Sequence, residues 1–78
     1  MSYYLELKIK GETIAKTEWT EHIYDLGNAR NRAIRWFRNA KKSYGTTEVE
    51  VEIREQALFY SNENGKLIDT IKKNPYEK

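Results

Sequence analysis

The chain has no cysteine, a single histidine and no long apolar run, and these absences remove several classes of protein. Without cysteine there is neither a disulfide framework nor a thiolate metal site, and nothing points to an oxidising compartment. No apolar run approaches the roughly 20 residues that cross a bilayer, and the N-terminus lacks a basic stretch followed by an apolar one. We therefore expect a cytoplasmic protein with no membrane partner.

The single histidine, His22, gives little support to catalysis. No serine stands in a nucleophile motif, so nucleophilic catalysis lacks its reacting group. The carboxylates lie on a solvated strand and not in an apolar cleft that would raise a pKa, so general acid–base catalysis is poorly supported. Glu18 and Glu21 lie near His22, but this short stretch fits a loop with a solvated histidine better than a metal site. The four glycines are isolated, so no phosphate-cradling loop is present. The sequence predicts no catalytic residue, no metal site and no cofactor.

The length of 78 residues permits one core. A chain this short buries about 60% of its unfolded surface and cannot divide its apolar residues between two domains. Two Trp, two Phe and six Tyr argue against disorder. We predict a single compact domain over residues 1–78, with a frayed tail over residues 72–78.

Two strands are predicted at the start of the chain. Residues 3–10 alternate between apolar and polar side chains, with Tyr4 on the polar face, and Gly11 marks a tight turn. Residues 13–19 read as the returning strand, whose register stays open because Ile14 can also pair beside Ile9. The favoured register places four side chains inward, namely Thr13, Ala15, Thr17 and Trp19.

An amphipathic helix is predicted over residues 25–44. Asp25 suits the N-cap because its carboxylate accepts from the amides of the first turn, and Gly45 suits a left-handed C-cap. One arc of the helical wheel is apolar and includes Leu26, Ala29, Ala33, Trp36, Phe37, Ala40 and Tyr44.

The second half of the chain predicts further strands. Residues 46–54 alternate, with valine and isoleucine inward and glutamates outward. Asn64 and Gly65 stand between two apolar-rich runs, residues 58–62 and 66–71, which is a strong hairpin signal. The fold class is therefore α+β, a small antiparallel sheet of four or five strands in ββαββ order, with one helix across one face and a wet opposite face.

The helix carries a basic outer row, which is the clearest functional signal. Arg32, Arg35, Arg38 and Lys42 follow at helical spacing, and Asn31 stands beside them. Such a row can meet successive phosphates, and asparagine can bond to phosphates or base edges. A solvated helix face with no ligand explains the same pattern, since cations in the last turn also suit the helix dipole.

The strand after the helix carries an acidic row, Glu48, Glu50 and Glu52. Alternate strand residues lie about 6.6 Å apart, which is close to the spacing of backbone phosphates, so the row could imitate a nucleic acid or dock on a basic protein. Lys8 and Lys10 on a neighbouring strand would neutralise it. Tyr4 is the aromatic side chain best placed to be exposed, and it is a candidate contact residue.

In size, lack of cysteine and a composition rich in Lys, Glu, Asn, Tyr and Ile, the chain resembles small proteins encoded by phages and other mobile elements, including inhibitors of host defence. The resemblance covers composition only, and it implies a one-domain protein that acts by binding. We expect a non-enzymatic protein that blocks or bridges a protein partner. The alternative is a nucleic-acid-binding module that uses the basic helix face, and a homodimer through a sheet edge stays open.

Overall fold

The computed structural model describes residues 2–17, 23–55 and 65–72. Its elements are β1 (Tyr3–Ile9), β2 (Glu12–Lys16), α1 (Leu26–Tyr44), β3 (Val49–Glu55) and β4 (Leu67–Ile71). The four strands form one antiparallel sheet in the order β2-β1-β3-β4, and α1 packs across one face of it. The predicted α+β class and ββαββ order are confirmed.

The core lies between α1 and the two central strands. Three alanines on the inner stripe of α1 let the helix approach the sheet closely, and Phe37 fills the remaining space. The sheet contributes alternate residues of β1 and β3 to the same layer, namely Leu5, Leu7, Val49, Val51 and Ile53. Burial of this apolar layer is the main term that stabilises the fold.

Tyr44 was predicted in this inner arc, but it is 55% exposed. The 19 residues of α1 make a helix about 28 Å long, whereas a seven-residue strand spans about 23 Å. The last turn of α1 therefore extends past the strands.

No helix in the described ranges is long and apolar enough to cross a membrane.

Both predicted caps of α1 are confirmed. Asp25 has extended backbone angles, and its Oδ2 accepts from the backbone amide of Asn28 at 3.0 Å. Gly45 is left-handed at φ 62°, and its amide donates to the carbonyl of Lys41 at 3.0 Å. The two caps fix both ends of the helix that carries the basic row.

Replacing Asp25 with alanine should lower the free energy of unfolding by about 1 kcal/mol, because the Asn28 amide loses its acceptor. Urea denaturation followed by circular dichroism measures this change. Asp25→Asn is the matched control, since asparagine caps about as well and should stay within a few tenths of a kcal/mol of the native chain. An equal loss in both variants would show that the cap does not stabilise the helix.

The register of β2 contains a bulge that the sequence did not reveal. Leu7 pairs with Ala15, but Lys8 pairs with Thr13, so Ile14 is the extra residue. The predicted inward positions hold for Ala15 and for Thr17, which is buried. They are wrong for Thr13, which the bulge moves to the face of Lys8, and the predicted position of Trp19 falls outside the described residues.

The strand predicted over residues 46–54 begins at Val49, so Glu48 precedes it. The predicted second hairpin strand is present as β4, and it pairs with β3 through Val51 and Ile71. The predicted run over residues 58–62 and the tail beyond Lys72 fall outside the described residues. In the part of the chain that the structure describes, β4 forms one edge of the sheet and β2 forms the other.

Candidate functional site

The centre of the sheet face opposite α1 is buried, contrary to the predicted wet face, and the prediction of an exposed Tyr4 is wrong. Tyr4 lies on this face as its alternation indicates, yet it is 1% exposed. Its hydroxyl accepts from the backbone amide of Gly65 at 3.1 Å, because the chain at Gly65 crosses the Tyr4 ring just before β4. Tyr4 therefore has no free surface to offer a partner, and it acts as a packing residue.

Two glutamates on the same face lie side by side, because Glu6 and Glu52 are direct partners in the β1–β3 register. Arg54 lies between them, with Nε 2.9 Å from Oε2 of Glu6 and Nη2 2.9 Å from Oε1 of Glu52. Lys16 approaches Glu6 at 3.2 Å and Lys8 approaches Glu52 at 3.4 Å. We call these five residues the carboxylate cluster.

The electrostatics of the cluster favour the ionised form of Glu52. Both glutamates are only 8% exposed, and burial by itself raises the pKa of Glu52. Hydrogen bonds from Arg54 and with Glu6, together with the charges of Arg54 and Lys8, outweigh burial and hold the pKa of Glu52 below its usual value. The negative charge of this face is therefore balanced within the protein.

The predicted acidic row is not one continuous surface. Glu48 is exposed, Glu50 is half-buried with Lys72 at 3.8 Å, and Glu52 is buried in the carboxylate cluster. Lys8 stands opposite Glu50 in the register, as predicted, but its ion pair is with Glu52. Nucleic-acid mimicry needs a regular row of free charges, so these three side chains no longer support it.

Gly65 is held from both sides by side chains of the central strands. The Tyr4 hydroxyl accepts from its amide, and Nη1 of Arg54 donates to its carbonyl at 2.7 Å. The amide of Glu55 donates to the carbonyl of Lys66 at 2.8 Å, which begins the β3–β4 ladder. We call this set of contacts the Gly65 clasp, and it fixes where β4 starts.

The structure brings the predicted basic row of α1 together on one exposed side, with the exception of Arg32. Arg35, Arg38, Lys42 and Asn31 are all exposed on the outer side of the helix, and we call these four residues the basic face. The side chains of Arg35, Arg38 and Lys42 make no ion pair with any described residue. Arg30, on the flank towards β4, pairs instead with Asp69 at 3.2 Å.

Arg32 lies on the opposite flank, half-buried, at the edge of a groove. The groove exists because α1 packs over β1, β3 and β4 but not over β2. Its volume is about 380 Å³, and we call it the α1–β2 groove. The helix contributes Arg32, Arg35, Trp36 and Asn39 to its lining, and the sheet side contributes Leu5, Lys16 and Thr17.

The sequence did not reveal Lys16 as a neighbour of the arginines, whereas Trp36 and Asn39 lie close to Arg32 and Arg35 on the predicted helix itself. Trp36 was assigned to the apolar arc, and its position at the edge of that arc was the available signal. Arg54 was also missed, although residues 52 and 54 of a strand share a face and a cation there suits buried glutamates.

None of the groups of histidine, aspartate and glutamate among residues 2–17, 23–55 and 65–72 could hold a metal ion. His22, Glu18 and Glu21 fall outside those ranges. Comparison of the chain with protein-family models, with curated proteins and with solved structures found no match.

Proposed function

We propose that the protein is a non-enzymatic binding protein that contacts an anionic macromolecule through the basic face of α1. The observation that supports it most directly is the contrast between the two sides of the molecule. The basic face keeps three cations without ion pairs among the described residues, whereas Glu6, Glu50 and Glu52 on the sheet side are all paired. Charges that the fold does not use are available to a partner.

The geometry of the cations also suits a macromolecule. Arg35, Arg38 and Lys42 follow at intervals of three and four residues, which places them on one stripe of a helix. Seven residues of helix span about 10.5 Å, enough to reach two neighbouring phosphates or carboxylates of an extended partner. Pairing with such a partner requires no change in the backbone of α1.

A protein with an acidic surface is the first candidate partner. The compositional resemblance to phage-encoded inhibitors supports a narrower form of this proposal, in which binding blocks a host system in the cytoplasm. A homodimer through a sheet edge is less well supported, because β2 and β4 are five-residue strands that each contain a ladder irregularity. Short, irregular edges disfavour edge-to-edge pairing.

A nucleic acid is the second candidate, and a specific observation favours it. The α1–β2 groove places Trp36 and Asn39 directly beside Arg32 and Arg35. An acidic protein surface needs only the cations, whereas aromatic and amide groups beside arginine are typical of sites that bind nucleotides.

The test is a charge reversal on the basic face. Arg35→Glu combined with Arg38→Glu changes the net charge from +2 to −2, since two cations are lost and two anions are gained. Lys10→Glu combined with Lys66→Glu makes the same change at two exposed positions away from α1. Binding to labelled polyglutamate, single-stranded DNA and duplex DNA is followed by fluorescence anisotropy from low to physiological salt.

The native chain should bind at least one of these probes, and for a nucleic acid the log of the affinity should fall with the log of the salt concentration at a slope of about 2 to 3, because the basic face carries three cations. The helix variant should bind at least 30-fold more weakly, while the control variant stays within about fivefold of the native chain. Both should keep the native melting temperature to within a few degrees, because exposed charges contribute little to stability. Equal losses in the two variants would refute the basic face as the contact surface.

A further inference from the structure

We infer that the α1–β2 groove binds one unpaired nucleotide of a single-stranded nucleic acid, with its base against Trp36 and its phosphate at Arg35. This inference rests on the nucleic-acid form of the proposed function. It concerns the groove on the β2 flank of α1, which shares Arg35 with the basic face.

The position of Trp36 is the first step. Its side chain is half-buried, packs against the core on one side and lines the groove on the other. Leu5 and Thr17 line the sheet side of the groove, so the space beside the indole is bounded by both apolar and polar groups. A planar base that enters this space removes apolar surface from water on both partners, and stacking on an aromatic side chain tolerates any base.

The polar groups around Trp36 match the remaining parts of a nucleotide. Arg35 directly precedes it and Arg32 lies one turn earlier, and guanidinium groups bind phosphate oxygens in a two-pronged geometry. Asn39 lies three residues later and carries both a donor and an acceptor for a base edge. None of the described residues lining the groove is a carboxylate, so nothing in that lining repels a phosphate.

Lys16 on the sheet side adds a third cation to the lining, although it also pairs with Glu6 at 3.2 Å. The groove therefore has positive charge on both walls and an aromatic side chain between them. Its volume of about 380 Å³ lies in the lower part of the range for ligand pockets and is sufficient for one base. A duplex keeps its bases stacked inside and cannot present one to Trp36.

The test combines affinity with a local optical signal. Trp19→Phe leaves Trp36 as the only tryptophan, so its fluorescence reports on the groove. The probes are single-stranded DNA and RNA 12-mers, a hairpin duplex, a free mononucleotide and polyglutamate. In this background single strands should quench the Trp36 fluorescence, and they should bind more tightly than the duplex and the mononucleotide.

Two matched pairs of variants locate the nucleotide. Trp36→Leu should weaken single-strand binding about tenfold, whereas Trp36→Phe keeps an aromatic ring and should lose no more than about threefold. Arg35→Glu should cost at least three times more affinity than Arg38→Glu, which reverses the same charge on the same helix outside the groove. If the melting temperature of Trp36→Leu is well below that of the native chain, its affinity is not interpreted. The inference is then tested by the affinities of Trp36→Phe, Arg35→Glu and Arg38→Glu.

The outcomes separate this inference from the proposed function. Equal losses for Arg35→Glu and Arg38→Glu, with no effect of Trp36→Leu, would overturn the groove while leaving the basic face as the binding surface. Binding to polyglutamate but to no nucleic acid would overturn the inference and favour an acidic protein partner. If the mononucleotide or the duplex binds as tightly as the single strands, the proposal that the bound nucleotide belongs to a single-stranded nucleic acid is overturned. If the chain with its native groove and basic face binds none of the probes, both proposals are overturned.

Discussion

Gly65→Ala is expected to destabilise the fold by about 3 kcal/mol, although the change adds a single methyl group. A Cβ atom at this position would overlap the carbonyl oxygen of Glu55 and lie 2.7 Å from Cε1 of Tyr4. Neither neighbour can move away at a low cost in free energy, because one is strand backbone and the other is the Tyr4 ring, in a residue that is 1% exposed. The melting temperature, followed by circular dichroism, should fall by more than about 12 °C.

Gly11→Ala provides the matched control. Gly11 lies in the tight turn between β1 and β2, and no atom lies within 4 Å of the position that a Cβ would take there, so only its left-handed backbone at φ 80° opposes the change. That strain should cost about 1 to 2 kcal/mol. A Gly65→Ala variant that melts as high as Gly11→Ala, or higher, would show that the Gly65 clasp is looser than described.

Arg54→Met is expected to lower the free energy of unfolding by about 3 kcal/mol at neutral pH. Methionine keeps most of the apolar stem, but it leaves Glu6 and Glu52 adjacent, 8% exposed and without the cation between them. The variant also loses the donor to the Gly65 carbonyl. Urea denaturation of the native and variant chains measures the difference.

The pH dependence of this difference has a definite sign. The pKa of Glu52 is lowered by folding, so its ionised form stabilises the native state fully above about pH 4.5, the ordinary value, and this contribution is lost as the pH falls further. Protonation of Glu52 also removes one of the charges that Arg54 neutralises. The gap between the native chain and Arg54→Met should therefore narrow between pH 7 and pH 3.

Lys72→Met separates this effect from a general change of charge. Lys72 pairs with Glu50 at 3.8 Å and its side chain is 69% exposed, so the substitution should change stability by less than about 0.5 kcal/mol at any pH. If the gap for Arg54→Met does not change between pH 7 and pH 3, the carboxylate cluster is not the source of its destabilisation.

Local patterns in the sequence were sufficient for most of the fold. The alternation of β1 and β3 follows from a period of two, and the bounds of α1 follow from Asp25 and Gly45, which act on backbone groups within the same turn. These signals depend on neighbours a few residues apart. These signals can therefore be recognised in the sequence when the tertiary structure is unknown.

Burial of the polar face could not be predicted in this way. Alternation placed Tyr4 and Glu52 on the correct side of the sheet, but whether that side is covered depends on where a segment some 60 residues later crosses it. Gly65 shows the same limit, since it was assigned to a turn that needs a positive φ. Its backbone is not left-handed, and the glycine is required by the space between Tyr4 and Glu55.

The candidate site divides along the same line. The basic face was predictable because a helical wheel needs only sequence spacing. The α1–β2 groove was not, because it results from the sideways offset of α1 away from β2. Trp36 combines the two cases. Its position on the helix follows from sequence spacing, but the exposure of its side chain depends on the offset of α1 from β2.

The pairing of carboxylates on the sheet side also affects how fast a partner arrives. With Glu6, Glu50 and Glu52 held beside cations, these carboxylates do not neutralise the three cations of the basic face, which are a source of positive field. At physiological salt this field decays over about 8 Å, a distance similar to the length of the basic face, so its cations act as one source. Such a field steers an anionic partner during diffusion and raises the association rate more than it slows dissociation. If the basic face binds an anionic partner as proposed, an encounter would therefore begin with the helix turned towards that partner.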